Sequence, residues 1–189
     1  MKIIEIRAMR GPNYWSIRRH KLIVMKLDLE ELEQRPTDKI EGFADRLEAM
    51  FPSMFAHRCS ELEAGGFFYR VRRGTWMGHV IEHIALEIQS LAGMEVGFGR
   101  TRSTSEEGIY NVVFAYTEEK VGIFAAKSAV NIAFALINSD EYDLQADIQA
   151  MREIREENRL GPSTGSPRGH RRRPCMLPSA GAVGSTVDT

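Results

Sequence analysis

The alternation of apolar and polar residues near the start of the chain predicts β-structure. The segment KIIEIRAM alternates with a period of two, as in a strand that buries one face. HKLIVMKLDL is a second strand candidate, since its β-branched residues favour a strand over a helix. MEVGFGRTR and GIYNVVFAYT indicate two further extended segments that form a hairpin across STSEEG.

Apolar residues at three-and-four spacing predict four helices. The first lies in DKIEGFADRLEAMF and ends at Pro52, and the second spans Met77 to Leu91 and is stopped by Gly93. EEKVGIFAAKSAVNIAFALI is a long, largely buried helix, and YDLQADIQAMREIREEN is amphipathic. Strands and helices are mixed without a regular βαβ rhythm. The sequence therefore predicts an α+β fold with a mixed, mainly antiparallel sheet and packed amphipathic helices.

The composition changes abruptly after residue 164. Residues 1–164 are predicted to form one compact domain, whereas residues 165–189 are rich in Gly, Pro, Ser and Arg and have no apolar period. Such a segment buries too little apolar surface to offset its ordering entropy, so we expect it to be disordered. A shift of reading frame would explain its composition, and an arginine-rich tail that binds an acidic partner is the alternative.

Composition and charge leave a globular domain as the expected class. The 189 residues are 43% hydrophobic and 27% charged, and the formal net charge is -1. We therefore expect no general attraction to nucleic acid or to a membrane. Cys59 and Cys175 are too far apart to suggest a disulfide framework, charge occurs too early for a signal peptide, and a cytoplasmic location is expected. The sequence leaves a homo-oligomer open.

The stretch GHVIEHIALEIQ carries the strongest candidate chemistry. His79 and His83 are four residues apart and lie on one face of the predicted helix, so both could bind one zinc-like divalent ion. Glu82 could act as general base on a water held by that ion, and Glu87 could be a third metal ligand. The order H-x-x-E-H is the inverted form of the zinc peptidase motif.

The same residues could instead form the solvated face of an ordinary helix. His79, Glu82, His83 and Glu87 all lie away from the apolar stripe, and a polar outer face requires no metal. Leu86 in the middle of this face argues against simple solvation and predicts that another element covers it.

Four arginines are candidate ligands for substrate carboxylates. Arg70, Arg72 and Arg73 precede the motif helix, and Arg100 follows it. Arginine suits this role because its planar guanidinium can donate two parallel hydrogen bonds to a carboxylate. The alternative interpretation of the first three is a solvated turn.

Several long segments together resemble the N-terminal domain of cyanophycin synthetases. They are RGPNYWSIRRHKLIVMKLDLE, RRGTWMGHVIEHIALEIQSLAGMEVGFGRTR, YNVVF and LGPST. The resemblance runs from Met1 to about Thr164. It implies a module of an enzyme that uses ATP to polymerise aspartate and arginine into cyanophycin, in which ATP-grasp and Mur-ligase-like domains supply the ATP sites.

The resemblance implies a polymer-handling role for this chain. No G-x-x-x-x-G-K-[ST] segment is present, so we expect no ATP site and no ligase activity in the chain alone. The implied functions are binding of cyanophycin and its metal-dependent cleavage at the H-x-x-E-H helix to create primers, with His79, Glu82 and His83 matching the motif. A non-catalytic docking module and an inactive, truncated remnant are the alternatives.

Overall fold

In a computed structural model the chain is described for residues 1–16, 21–57 and 63–160. Four strands form the sheet: β1 (Lys2–Arg10), β2 (Lys21–Asp28), β3 (Gly99–Ser103) and β4 (Ile109–Ala115). Five α-helices accompany them: α1 (Phe43–Met50), α2 (Gly66–Arg73), α3 (Met77–Leu91), α4 (Glu119–Asn138) and α5 (Leu144–Leu160). Short 3-10 turns occupy Glu30–Gln34, Thr37–Lys39 and Pro52–Ala56.

The sheet is antiparallel throughout, in the order β1-β2-β4-β3. One of its two central strands, β2, buries both faces, which explains its nearly continuous apolar sequence. Ile23 and Met25 face the main core beneath the helices, whereas Leu22 and Val24 join a smaller cluster with Trp15 on the opposite face. β3 forms an edge, and its register with β4 pairs Gly99 with Phe114 and Thr101 with Val112.

Helices α3 and α4 pack against each other over one face of the sheet. The buried residues of α3 include Met77, Ile81, Ile84 and Ile88, all in the main core. α4 is the one helix within the described residues that is long and apolar enough to cross a membrane, with a mean hydropathy of 1.6. Of its most apolar window, 61% is buried inside the fold, so packing in the core accounts for that composition.

The structure confirms the predicted α+β fold and the predicted strands and helices, with two corrections. The first helix begins at Phe43, later than its pattern suggested, because Gly42 adopts a left-handed backbone with φ of 65°. The second correction concerns Arg70, Arg72 and Arg73, for which a solvated turn was the alternative. They lie on α2, a helix that was not predicted and that begins at Gly66, so the cluster is helical and not a turn. Residues 165–189, with their predicted disorder, and Cys59 lie outside the described residues.

A buried histidine and carboxylate cluster

The polar stripe of α3 is covered by other elements. Glu82, His83 and Glu87 retain only 6%, 8% and 4% of their exposure. The interpretation as a solvated helix face is therefore wrong, and the cover that Leu86 predicted is present. It comes from the turn Pro52–Ala56 with the following His57, from Phe67 on α2, and from the edge strand β3.

His57 joins the two motif histidines. Its Nδ1 lies 3.0 Å from Nδ1 of His83, and its Nε2 lies 2.7 Å from Oε2 of Glu87. Ser53, in the preceding turn, donates a short hydrogen bond to the other oxygen of Glu87. His57, His79 and His83 are all of the histidines within residues 1–16, 21–57 and 63–160, and all three meet in this cluster.

Burial keeps the two motif imidazoles neutral. It lowers the pKa of His79 to about 4, with a further contribution from the positive charge of Arg70. Burial also lowers the pKa of His83 to about 2, helped by the neighbouring His79, His57 and Arg70. Phe67 stacks on the His83 ring with 4.1 Å between centroids, which shields it from water. Neutral imidazole is the form of histidine that binds metal ions.

Glu82 occupies a separate pocket of the cluster, against the edge strand. Burial raises its pKa to about 7, although a hydrogen bond from Thr101 and the charges of Arg70 and Arg100 oppose this rise. Thr101 Oγ1 lies 2.7 Å from Glu82 Oε2 and 3.3 Å from the carbonyl oxygen of Gly78. A side chain at Gly99 would collide with the Glu82 carboxylate, so glycine permits this close approach. A carboxyl group with a pKa near 7 can both accept and release a proton at neutral pH.

Glu87 differs electrostatically from Glu82, although both are buried. Burial pushes the pKa of Glu87 upward, but hydrogen bonds from His57 and Ser53 outweigh that effect and hold it below its usual value. Glu87 is therefore a carboxylate at neutral pH. One helix face thus presents an ionised carboxylate and a carboxyl group poised to exchange a proton, and environment alone separates them.

The four candidate arginines divide into two pairs. Arg70 and Arg100 are close enough to influence the pKa of Glu82. Arg72 instead forms ion pairs of 2.7 Å with Asp45 and Glu48 on the surface. Arg73 lies over the ring of Tyr69, 5.2 Å from its centroid. The structure thus brings two of the four candidates towards the cluster.

The donor atoms of the cluster suit a zinc-like ion in their chemistry. His79 and His83 supply neutral ring nitrogens, their ring centroids lie 4.8 Å apart, and Nδ1 of His79 contacts Thr75 Oγ1 at 3.1 Å. A hydrogen bond at one ring nitrogen is the usual way in which proteins orient a metal-binding imidazole. Among residues 1–16, 21–57 and 63–160, however, no three His, Cys, Asp or Glu side chains converge as metal ligands. The histidine and glutamate side chains of the cluster are instead arranged to hydrogen-bond with one another.

Four contributors to the site could not be identified from the sequence. Ser53, His57, Phe67 and Thr101 lie outside the H-x-x-E-H motif and carry no spacing that links them to it. The one local signal was Leu86, which required a covering element but did not say which element would provide it.

The molecule is therefore an α+β domain in which other parts of the chain cover the helix that carries the H-x-x-E-H motif. The sequence profile of the family described as "Cyanophycin synthase-like N-terminal domain" matches residues 24–138, and the chain belongs to that family. It is 48% identical over 189 residues to the cyanophycin synthetase of Synechocystis sp., covering 97% of this chain and 22% of the relative.

Two further cyanophycin synthetases match with a similar identity over a shorter part of the chain. Those of Geminocystis herdmanii and Trichormus variabilis are each 50% identical over 167 residues, covering 87% of this chain and 19% and 18% of the relatives. The chain thus spans about a fifth of the length of the curated relatives that it matches.

Proposed function

We propose that this domain binds cyanophycin and cleaves it in a metal-dependent hydrolysis at the α3 cluster, which would supply primers for polymerisation. The observation that carries the proposal is Glu82, a buried carboxyl group with a pKa of about 7 beside two neutral imidazoles. The substrate is suggested by the relatives, which are named cyanophycin synthetases. Cyanophycin is a poly-aspartate with arginine on each side chain, as the family resemblance implies.

His79 and His83 would hold the metal ion, and Glu87 is the proposed third ligand. The Glu87 carboxylate already accepts hydrogen bonds from Ser53 and His57, but a carboxylate has about four lone-pair sites and retains the capacity to bind an ion. A divalent ion bound there would polarise the carbonyl group of the scissile bond as a Lewis acid.

Glu82 would take a proton from the attacking water and later give it to the leaving amine. Its raised pKa suits both halves of this exchange, because a group near the working pH accepts and releases a proton with similar ease. Thr101 keeps the carboxyl group in place through its hydrogen bond, and Phe67 covers His83 against bulk water. These residues therefore position the base and protect the neutral imidazole.

The polymer would be held through its charges. Arg70 and Arg100 lie close enough to Glu82 to act on its pKa, so they are the best placed of the candidate arginines to pair with main-chain or terminal carboxylates of cyanophycin. Arg72 and Arg73 remain candidates for more distant parts of a long polymer.

A non-catalytic docking module is the second candidate function. The contact between His57 and His83 and the lack of three converging ligands within the described residues favour it. In that case the same face would bind cyanophycin without a metal ion, and an inactive remnant would do neither.

Incubation of the purified chain with cyanophycin separates these functions. Release of soluble peptides that requires zinc and stops with EDTA supports hydrolysis. Elemental analysis should find about one zinc per chain, lost in His83→Ala. Glu82→Gln should abolish cleavage while keeping the metal, whereas Glu106→Gln, at an exposed glutamate paired with Lys26, should cleave normally.

Binding to immobilised cyanophycin without any cleavage would identify a docking module. Equal metal content in the wild type and His83→Ala would contradict the proposed ligands, and normal cleavage by Glu82→Gln would remove Glu82 from the mechanism.

A further inference from the structure

Strand β3 is an edge strand that runs beside the motif helix α3. The sheet order β1-β2-β4-β3 gives it β4 as its one neighbouring strand among the described residues. Thr101, at the centre of β3, donates to Oε2 of Glu82 at 2.7 Å, and Gly99 permits the close approach of the Glu82 carboxyl group. β1, the other edge strand, lies at the opposite side of the sheet. The open side of β3 is therefore the sheet edge nearest to the candidate site.

Two hydrogen bonds at the ends of β3 show which of its main-chain groups face β4. The Ala115 amide donates to the Phe98 carbonyl oxygen at 2.8 Å, and the Thr104 amide donates to the Ile109 carbonyl oxygen at 2.9 Å. Hydrogen-bonded residues alternate along an antiparallel pair, and the register of β3 with β4 is unbroken from residue 99 to residue 103. The even-numbered residues from 98 to 104 therefore bond to β4.

Gly99, Thr101 and Ser103 consequently turn their main-chain N–H and C=O groups towards the open edge. Within residues 1–16, 21–57 and 63–160, none of these main-chain groups has a hydrogen-bond partner. Ser103 is exposed and the other two residues are partly exposed, so the edge can be reached from solvent. An extended peptide can add a strand to such an edge, because its own amides satisfy the unpaired groups.

The side chains of β3 alternate between the two faces of the sheet. Thr101 faces α3, whereas Arg100 and Arg102 lie on the opposite face. Both arginines are exposed, and neither forms an ion pair with another residue of the described ranges. Side chains on one face of a strand recur about every 6.7 Å, so the two guanidinium groups match the spacing of alternate units of an extended polymer. Carboxylates on those units can pair with them across the strands.

We propose that the open edge of β3 binds the main chain of cyanophycin as an added β-strand. The unpaired groups of Gly99, Thr101 and Ser103 hydrogen-bond to the poly-aspartate backbone, and Arg100 and Arg102 pair with carboxylates on alternate units. This binding mode rests on the function proposed above, because its ligand is the same polymer. It adds recognition of the main chain to recognition of the polymer's charges.

An added strand brings the polymer backbone to the proposed general base. Neighbouring strands lie about 4.8 Å apart, so the backbone follows β3 at that distance. The unit opposite Thr101 turns its side chain towards α3, on the face where Thr101 holds Glu82. The peptide bonds that flank this unit are therefore the ones nearest to Glu82. Thr101 thus positions the base through its side chain and the polymer through its main chain.

A proline at position 103 tests the edge without disturbing the pairing with β4. Ser103→Pro removes an N–H that faces away from β4, and proline is tolerated at such edge positions, so the melting temperature should stay close to that of the wild type. The Kd for immobilised cyanophycin, measured in EDTA to prevent metal-dependent cleavage, should rise at least about fivefold, the equivalent of one hydrogen bond. Ser105→Pro, in the exposed turn that follows β3, is the matched control and should bind as the wild type does.

Modified ligands test the same contact on the wild-type protein. Two short synthetic cyanophycin segments compete with the immobilised polymer in EDTA, one N-methylated at every main-chain amide and the other at alternate amides. Alternate residues of a strand present their N–H groups to opposite edges, so the alternately methylated segment keeps one edge free and should compete nearly as well as an unmodified segment. The fully methylated segment should compete at least about fivefold more weakly.

The edge-strand contact is overturned if folded Ser103→Pro binds as Ser105→Pro does, or if the fully methylated segment competes as well as the alternately methylated one. Either result, obtained with normal wild-type binding to cyanophycin, leaves the proposed function intact. Absence of any wild-type binding would instead refute the proposed function and this contact together. If Ser103→Pro does not fold, the two methylated segments decide.

Discussion

Nδ1 of His57 and Nδ1 of His83 lie 3.0 Å apart, so one ring donates to the other. Nε2 of His57 also faces the Glu87 carboxylate at 2.7 Å and must donate there. If His57 is neutral, its Nδ1 accepts from His83, and the other nitrogen of His83 keeps its lone pair for a metal ion. If His57 is charged, it donates to His83, and that lone pair is lost. The proton on His57 therefore decides whether His83 can be a ligand.

Replacement of His57 should change the ability of His83 to bind a metal ion. His57→Leu removes the acceptor for His83, so zinc affinity measured by chelator competition should fall about 10–100-fold. His57→Gln should largely restore it, because its amide can accept from His83 and donate to Glu87. Equal loss in both variants would instead make His57 a direct ligand, and no loss in either would refute the coupling.

Glu82→Gln should stabilise the metal-free protein more at pH 8 than at pH 5. The folded-state pKa of Glu82, about 7, lies above its ordinary value of 4.5, so its contribution to stability is fully present below pH 4.5 and is lost as the pH rises through 7. The loss is of the order of 1.4 kcal/mol per pH unit across that window. The melting temperatures of the wild type and Glu82→Gln, measured in EDTA at the two pH values, give this difference. An equal stabilisation at both pH values would show that the pKa of Glu82 is not raised.

Thr101→Val should reduce cyanophycin cleavage by at least about tenfold while metal content stays the same. The valine cannot bond to Glu82, so the carboxyl group loses its orientation. A fall in kcat larger than any change in KM is expected, together with an altered pH profile, and Thr101→Ser should recover most of the activity. Unchanged kcat in Thr101→Val would exclude a positioning role.

Gly99→Ala should damage the site because the added methyl group meets the Glu82 carboxylate. We expect a loss of about 1–3 kcal/mol of stability, typical of overpacking, and loss of cleavage. Gly97→Ala is the matched control, since a side chain there meets nothing within 4 Å. Denaturant unfolding of both variants provides the comparison, and equal stabilities would contradict the close packing of β3 on α3.

Elements of the fold could be predicted from the sequence wherever the pattern that indicates them lies within one continuous segment. The period of α3 and the alternation in β1 each reside in one segment, and both elements were predicted. Helix α2 was not predicted, because glycines such as Gly65 and Gly66 can either break a chain or begin a helix, according to what surrounds them. Here Gly65 has a φ of 81° and packs against Phe55, a contact that no local pattern encodes.

Only part of the candidate site could be predicted from the sequence, because the other part depends on contacts between distant segments. His79, Glu82 and His83 share one helix, so their spacing placed them together. His57 reaches them across the turn Pro52–Ala56, and Thr101 arrives through the register of β3 with β4. Tertiary packing creates both contacts. The raised pKa of Glu82 follows from the same packing and could not be read from its neighbours in sequence.

Helix α3 is buried on both sides, with its apolar stripe in the main core and its polar stripe beneath the cluster. Its amide hydrogens should therefore exchange with solvent only when the whole domain unfolds. The arrangement of His79, Glu82 and His83 should then be lost only when the whole domain unfolds. Local opening should not disorder the motif while the rest of the domain stays native. A substitution that lowers the free energy of unfolding of the core should therefore destabilise this site as much as it destabilises the domain.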